Sequence, residues 1–174
     1  MVEAVVVNYG VGNLHSIRRG MEMAGARVKV SRDPKDLERS TIVVLPGVGA
    51  HASAMRWLDH DTIMRCVQDG KFLLGVCLGL QLFMEYSEEG EGSRGLGIFP
   101  GRVVKLPPSV KIPQMGWNAL TLEREHPFLE GIAPGTHVYF VHSYYVEPED
   151  SKLVLASTEY GVRFPAVLGA ERIV

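Results

Sequence analysis

Apolar positions along the chain change period several times, and each change marks an element. Residues 2–8 contain the β-branched run Val5-Val6-Val7, which reads as a strand buried on both faces, and Tyr9-Gly10-Val11-Gly12-Asn13 closes it with turn residues. Leu14, Ile17, Met21 and Ala24 then recur at helical spacing, with Asn13 placed to cap the helix and Gly25 to end it. Residues 27–30 predict a second short strand and 34–39 a short helix. Residues 41–45 predict a third strand, ending in Pro46-Gly47-Val48-Gly49. Residues 50–69 keep helical patterning, with a break near Asp59-His60-Asp61. The apolar stretch 72–76 reads as a fourth strand, and a helix is predicted from about 78 to 86. Alternation of this kind predicts a parallel sheet with helices on both faces.

After Ser87 the pattern changes. Residues 88–97 are rich in glycine and charge, and the strands predicted near 102–106, 138–142, 153–156 and 162–166 have no long helices between them. The second half therefore reads as largely antiparallel. No repeat, linker or biased tract divides the chain, so residues 1–174 are expected to form one domain. The expected fold is an α/β three-layer sandwich with a mostly parallel central sheet, an antiparallel extension, and its site at the strand carboxyl ends.

Composition changes this picture little. An apolar fraction of 46% and a charged fraction of 22% are those of an ordinary globular chain. The net charge of −2 comes with scattered Lys and Arg, which leaves no basic stripe for nucleic acid. Apolar runs such as Ile42-Val43-Val44-Leu45 are far shorter than the ~20 residues a membrane span needs, and Glu3 spoils a signal peptide, so a cytoplasmic location is expected.

The two cysteines, Cys66 and Cys77, form no disulfide framework. Cys66 shares a helical face with Ile63 and Val67 and reads as a buried, inert thiol. Cys77 lies in Gly75-Val76-Cys77-Leu78-Gly79-Leu80-Gln81, between an apolar strand and a helix, with a glycine two places to either side. That is a nucleophile elbow with Cys in place of Ser, a tight turn that presents its side chain above the sheet. The plainer alternative is a small apolar filler with glycines that serve helix packing. The helix N-terminus behind Cys77 is expected to lower its thiol pKa. The Leu78 amide and one from residues 46–49 are placed to supply oxyanion donors, although residues 46–49 also read as an ordinary strand-to-helix turn. Gln81 lies one turn beyond Cys77 on the same face.

The segment from Gly75 to Gln81 resembles the nucleophile motif of class I, or triad-type, glutamine amidotransferases. Asn8-Tyr9-Gly10-Val11-Gly12-Asn13-Leu14, Leu45-Pro46-Gly47-Val48-Gly49-Ala50, Pro113-Gln114-Met115-Gly116-Trp117-Asn118 and His142-Ser143-Tyr144-Tyr145 resemble, in this order, the glutaminase subunits of imidazole glycerol phosphate synthases. The likeness runs from Val5 to about Pro165. It implies the class I amidotransferase fold, of flavodoxin-like type. It also implies that Cys77 attacks the side-chain amide of glutamine and forms a thioester. Leu78 and Val48 would supply the backbone oxyanion hole, completed by a flip of the peptide near Val48. Gly49, Gln81, Ser143 and Tyr144 would bind the substrate. Asn8, Asn13 and Trp117 would face a partner, a (β/α)₈-barrel cyclase that uses the ammonia in histidine biosynthesis. No metal or organic cofactor is implied. Read without the resemblance, Trp117 is equally a core residue, Ser143 and Tyr144 a strand edge, and residues 8–13 a weak phosphate loop.

The family draws its base and orienting carboxylate from a His-Pro-Glu motif near the C-terminus, and no such motif occurs among residues 1–174. His126-Pro127 is followed by Phe128, and His142 reads as a structural or interface histidine. The expectation is of a chain that stops short of the segment carrying these two groups, with impaired turnover. Two other readings compete: a non-catalytic pseudo-amidotransferase that keeps the partner surface, and an amidotransferase serving another acceptor.

Overall fold

The structure, a computed structural model, describes residues 2–10 and 12–174. Its first half alternates strand and helix: β1 (Glu3–Val7), α1 (Leu14–Met23), β2 (Arg27–Ser31), α2 (Pro34–Arg39), β3 (Ile42–Leu45), α3 (His51–Trp57), α4 (His60–Gln68), β4 (Phe72–Gly75) and α5 (Leu78–Leu82). The strands pair in parallel in the order β2-β1-β3-β4. The β-branched residues explain the central position of β1 and β3, since Val6, Val43 and Val44 have no exposed surface. The sequence signals mark the helix ends. The Asn13 side chain accepts the Ser16 N–H, and Gly25 takes φ 89° after α1. Asp59 accepts both the N–H and the hydroxyl of Thr62, so a new helix starts where the pattern of residues 50–69 is broken.

The helix predicted over 78–86 is shorter than expected. α5 ends at Leu82, and Met84–Ser87 becomes a strand, β5, paired with β6 (Ser93–Arg94) and β7 (Phe99–Lys105). Both Met84 and Ser87 are buried, and ladder bonds to two neighbours outweigh a local preference for helix. The remaining strands are β8 (Gln114–Ala119), β9 (Thr121–Leu122), β10 (His137–His142), β11 (Tyr144–Pro148), β12 (Val154–Glu159) and β13 (Arg163–Leu168). They build three small sheets, β10-β8, β11-β7-β5-β6 and β13-β12-β9, antiparallel except for the β5 to β7 pairing.

Residues 172–174 return to the parallel sheet. Leu73 donates its N–H to Arg172 at 2.9 Å, Val174 to Leu73 at 3.0 Å, and Gly75 to Val174 at 2.7 Å. This rung runs parallel to β4 and brings Val174 level with Gly75, at the carboxyl end of the sheet. The main core joins sheet residues such as Val5 and Leu45 to Ile63 of α4 and to Leu82 and Phe83, while a smaller one gathers Leu120, Leu129, Leu155 and Ala156.

Ile63 tests the main core, because its side chain is wholly buried whereas Met23 on α1 is 77% exposed. In urea unfolding, Ile63→Ala is expected to cost about 2–5 kcal/mol, and Met23→Ala to stay within about 0.5 kcal/mol of the parent. Equal losses would show that α4 does not pack as described.

Candidate active site

Cys77 has φ 54° and ψ −106°, a left-handed conformation that non-glycine residues rarely adopt. Three glycines make the turn possible. A Cβ on Gly79 would lie 1.9 Å from the Leu45 carbonyl oxygen, so only glycine lets the first turn of α5 rest on the end of β3. A Cβ on Gly75 would meet Phe83 at 2.6 Å, and one on Gly47 would meet the Leu78 Cβ at 2.2 Å. The elbow and the loop of residues 46–49 are therefore packed against each other at the carboxyl end of the sheet.

The thiol is exposed toward a cavity of about 350 Å³. Gln81, His142, Tyr144, Phe164 and Val174 share its walls with Cys77. Gln81 donates its side-chain N–H to the Tyr144 carbonyl at 3.3 Å, which ties α5 to β11. Leu78 directs its amide at Cys77. Among the described residues, the N–H groups of Val48 and Gly49 have no hydrogen-bond partner; Val48 is exposed and Gly49 takes φ 112°. Ser143 does not line the cavity, and its carbonyl accepts the Leu106 N–H at 2.9 Å.

The expectation of a lowered thiol pKa is corrected. Although Cys77 keeps exposed surface, partial desolvation of its sulfur by the surrounding walls pushes its pKa up, and the Leu78 amide opposes this with a smaller effect. α5 has five residues, too few for a strong macrodipole. Beneath the elbow, Tyr9 is buried and its hydroxyl has no partner among the described residues. Burial, and then the nearby Cys77, push its pKa up. Cys66 is wholly buried with its pKa also raised by desolvation, as the helical pattern predicts for an inert thiol.

Of the six histidines, His142 lines the Cys77 cavity, but neither ring nitrogen is free. Nδ1–H donates to the Tyr144 carbonyl at 2.9 Å, and Nε2 meets the Gln114 side chain at 2.8 Å. Burial holds its pKa down. No Asp or Glu lines the cavity among the described residues, so His142 has the connections of a wall residue rather than of an oriented base. His51, which the sequence reading passed over, is fully buried behind the loop.

Trp117 is 68% exposed, which removes its reading as a core residue. Its register partner across β8 and β10 is Tyr139, at 5.6 Å between ring centroids, and Met115 and Val141 pair on the same face. All four are exposed. The Asn8 and Asn13 side chains are exposed too, but bond locally to Gly10 and Ser16. No described helix is long and apolar enough to cross a membrane.

The model of the family "Glutamine amidotransferase class-I" matches residues 5–170. Imidazole glycerol phosphate synthase subunit HisH of Archaeoglobus fulgidus is 49% identical over 170 residues, covering 96% of this chain and 83% of that one. The subunit of the same name from Natronomonas pharaonis is 46% identical, with 97% and 81% covered. Two solved structures share the fold at low identity. One, described as PurLQS from Thermotoga maritima, has a TM-score of 0.70 at 20% identity, covering 99% of this chain and 80% of that one. The other, described as a glutamine amidotransferase, has a TM-score of 0.74 at 18% identity, covering 97% and 86%. The matched span, the identity to these relatives and the shared architecture agree, and the chain belongs to the class I glutamine amidotransferase family.

Proposed function

We propose that this chain is the glutaminase subunit of an imidazole glycerol phosphate synthase. It would hydrolyse glutamine to glutamate and ammonia for a cyclase partner in histidine biosynthesis. The observation that carries the proposal is the exposed thiol at a left-handed elbow, sharing one cavity with Gln81 and Tyr144. The names of the HisH relatives supply the acceptor reaction.

In this reading the Cys77 thiolate attacks the side-chain amide carbon of glutamine. The carbonyl π electrons move to oxygen, and the resulting oxyanion is received by the Leu78 amide and, after a flip of the peptide near it, by an amide of Val48 or Gly49. Collapse expels the nitrogen, which leaves as ammonia once it has gained a proton, and water then cleaves the thioester to glutamate. Gln81 and Tyr144, which line the cavity, hold the amino-acid head group, and Ser143 and Gly49, which do not line it, are left out of that role. A general base is still required. Among the described residues no histidine with a free ring nitrogen faces Cys77, so proton transfer is the step for which these residues provide least. The alternative reading carried over from the sequence is a pseudo-amidotransferase that binds its partner without turning over glutamine.

The partner is proposed to be a (β/α)₈-barrel cyclase that docks on the face of Met115, Trp117, Tyr139 and Val141, with Asn8 and Asn13 nearby in the contact. Exposed aromatic pairs of this kind are common interface anchors. Tyr139 and Val141 also line the Cys77 cavity, so this face adjoins the thiol site.

The raised thiol pKa gives a test with a definite sign. Because the folded protein favours the neutral thiol, alkylation of Cys77 by iodoacetamide is expected to be slow at pH 7. It should climb with pH to a midpoint above that of free cysteine, about 8.5. Adducts are mapped by mass spectrometry; a midpoint below that value overturns the raised pKa, and labelling mainly at Cys66 overturns the assignment of Cys77 as the reactive thiol.

Trp117→Ala tests the partner face. Affinity for the cyclase, measured by calorimetry, is expected to fall by about 2 kcal/mol or more, while the melting temperature of the isolated subunit stays nearly unchanged. Unaltered affinity would place the interface elsewhere. Glutamate release by the same pair of proteins separates the two readings, since a binding subunit alone leaves release at the uncatalysed rate.

A further inference from the structure

The loop of residues 46–49 is held at both ends, and the hold at its far end involves a residue that the glutaminase reading does not use. At the near end Gly47 is pressed against Leu78 and the Gly79 amide, which a Cβ would approach to 2.2 and 2.9 Å. At the far end α3 begins at His51, and its N-cap, Ala50, offers no side-chain cap. The Glu89 carboxylate takes over that role, accepting the His51 N–H at 2.6 Å, while the His51 side chain reaches elsewhere, with its Nδ1 2.7 Å from the Ser93 hydroxyl. The ring is wholly buried, and the main chain of Gln81 in α5 lies near enough for a weak hydrogen-bonding influence on it. Its Nε2 has no partner among the described residues.

A buried imidazole is costly unless it is hydrogen-bonded, and an apolar side chain would fill this space without that cost. Here the ring joins α3 to β6, behind the loop. With Gly47 and His51 both fixed, freedom is confined to residues 48–50, where Val48 and Gly49 have unpartnered N–H groups. We propose that His51 is a positioning residue for the oxyanion loop: its bond to Ser93 holds the start of α3 so that an amide of Val48 or Gly49 can be aimed at the oxygen of the tetrahedral intermediate. The proposal rests on the reading of Cys77 as the nucleophile and of residues 46–49 as an oxyanion donor.

Two reagents for Cys77 separate this role from plain stability. With a chloroketone analogue of glutamine, the thiolate adds to the ketone carbon, producing a tetrahedral oxyanion, and then displaces chloride. With iodoacetamide it displaces iodide in one step, without an oxyanion. His51→Phe fills the space but loses the bond, and Ser93→Ala removes the same bond from the other side. Each is expected to slow chloroketone labelling about five- to tenfold, the range of one net hydrogen bond, and to leave the iodoacetamide rate within about twofold. The double variant should lose no more than either single one, and His51→Asn, which can still reach Ser93, should restore most of the rate. Should His51→Phe fail to melt cooperatively, Ser93→Ala carries the same comparison. Unchanged chloroketone rates, or equal slowing with both reagents, would overturn the positioning role. Wild-type protein that reacts with iodoacetamide at Cys77 but not with the chloroketone would instead overturn the glutaminase reading, and this inference with it.

Discussion

The approach of α5 to the end of β3 sets most of what the site can do. With no side chain at Gly79, the helix backbone lies against the Leu45 carbonyl oxygen at a distance that admits no Cβ. Cys77 must then turn through a left-handed conformation to connect β4 to the helix, at a cost on the order of 1–3 kcal/mol. The surroundings hold it there: Gly75 packs on Phe83 behind the elbow, and Gly47 packs on Leu78 in front. The same contact that strains the cysteine also aligns the loop of residues 46–49 with it. Enlarging any of the three glycines would move Cys77 and the loop of residues 46–49 together.

Electrostatics at the elbow follow from the same crowding. A five-residue helix offers a weak dipole, and the walls that shape the cavity leave the sulfur partly desolvated, which outweighs the Leu78 amide. Reactivity in such a site depends on what the substrate brings. A bound amide would give the free N–H groups of the loop the acceptor they lack, and that gain grows as charge develops on the oxygen. A neutral resting thiol beside unpaired donors is consistent with a site that is organised for the intermediate rather than for the free enzyme.

Most of this was legible in the sequence where local chemistry decides local structure. Uninterrupted Val runs marked the central strands, Asn13 the cap of α1, the break near Asp59-His60-Asp61 the start of α4, and the glycines around Cys77 the elbow. Legibility failed where long-range pairing decides. Met84–Ser87 carries helical spacing but pairs with β6 and β7, and β8 and β11 have mixed patterns because each is half exposed. The thiol pKa was misjudged for a related reason: sequence shows the helix that follows Cys77 but neither its length nor the walls around the sulfur. His51 escaped notice because its partners, Glu89 and Ser93, lie 38 and 42 residues away.

The second half of the chain explains how an exposed apolar face comes to lie beside the Cys77 cavity. β8 and β10 form a separate two-stranded sheet rather than an extension of the parallel one. Such a ribbon cannot bury both faces, and register fixes which side chains stay outside. Pairing of Tyr139 with Trp117 and of Val141 with Met115 gathers four large apolar groups on the exposed side. A monomer gains nothing from leaving them in water, whereas a partner seated there would bury them. Because Tyr139 and Val141 also wall the cavity of Cys77, covering this face would close one side of the site to solvent. Ammonia released at the thiol would then meet the partner's surface before bulk water, so docking and retention of the product would depend on the same four side chains.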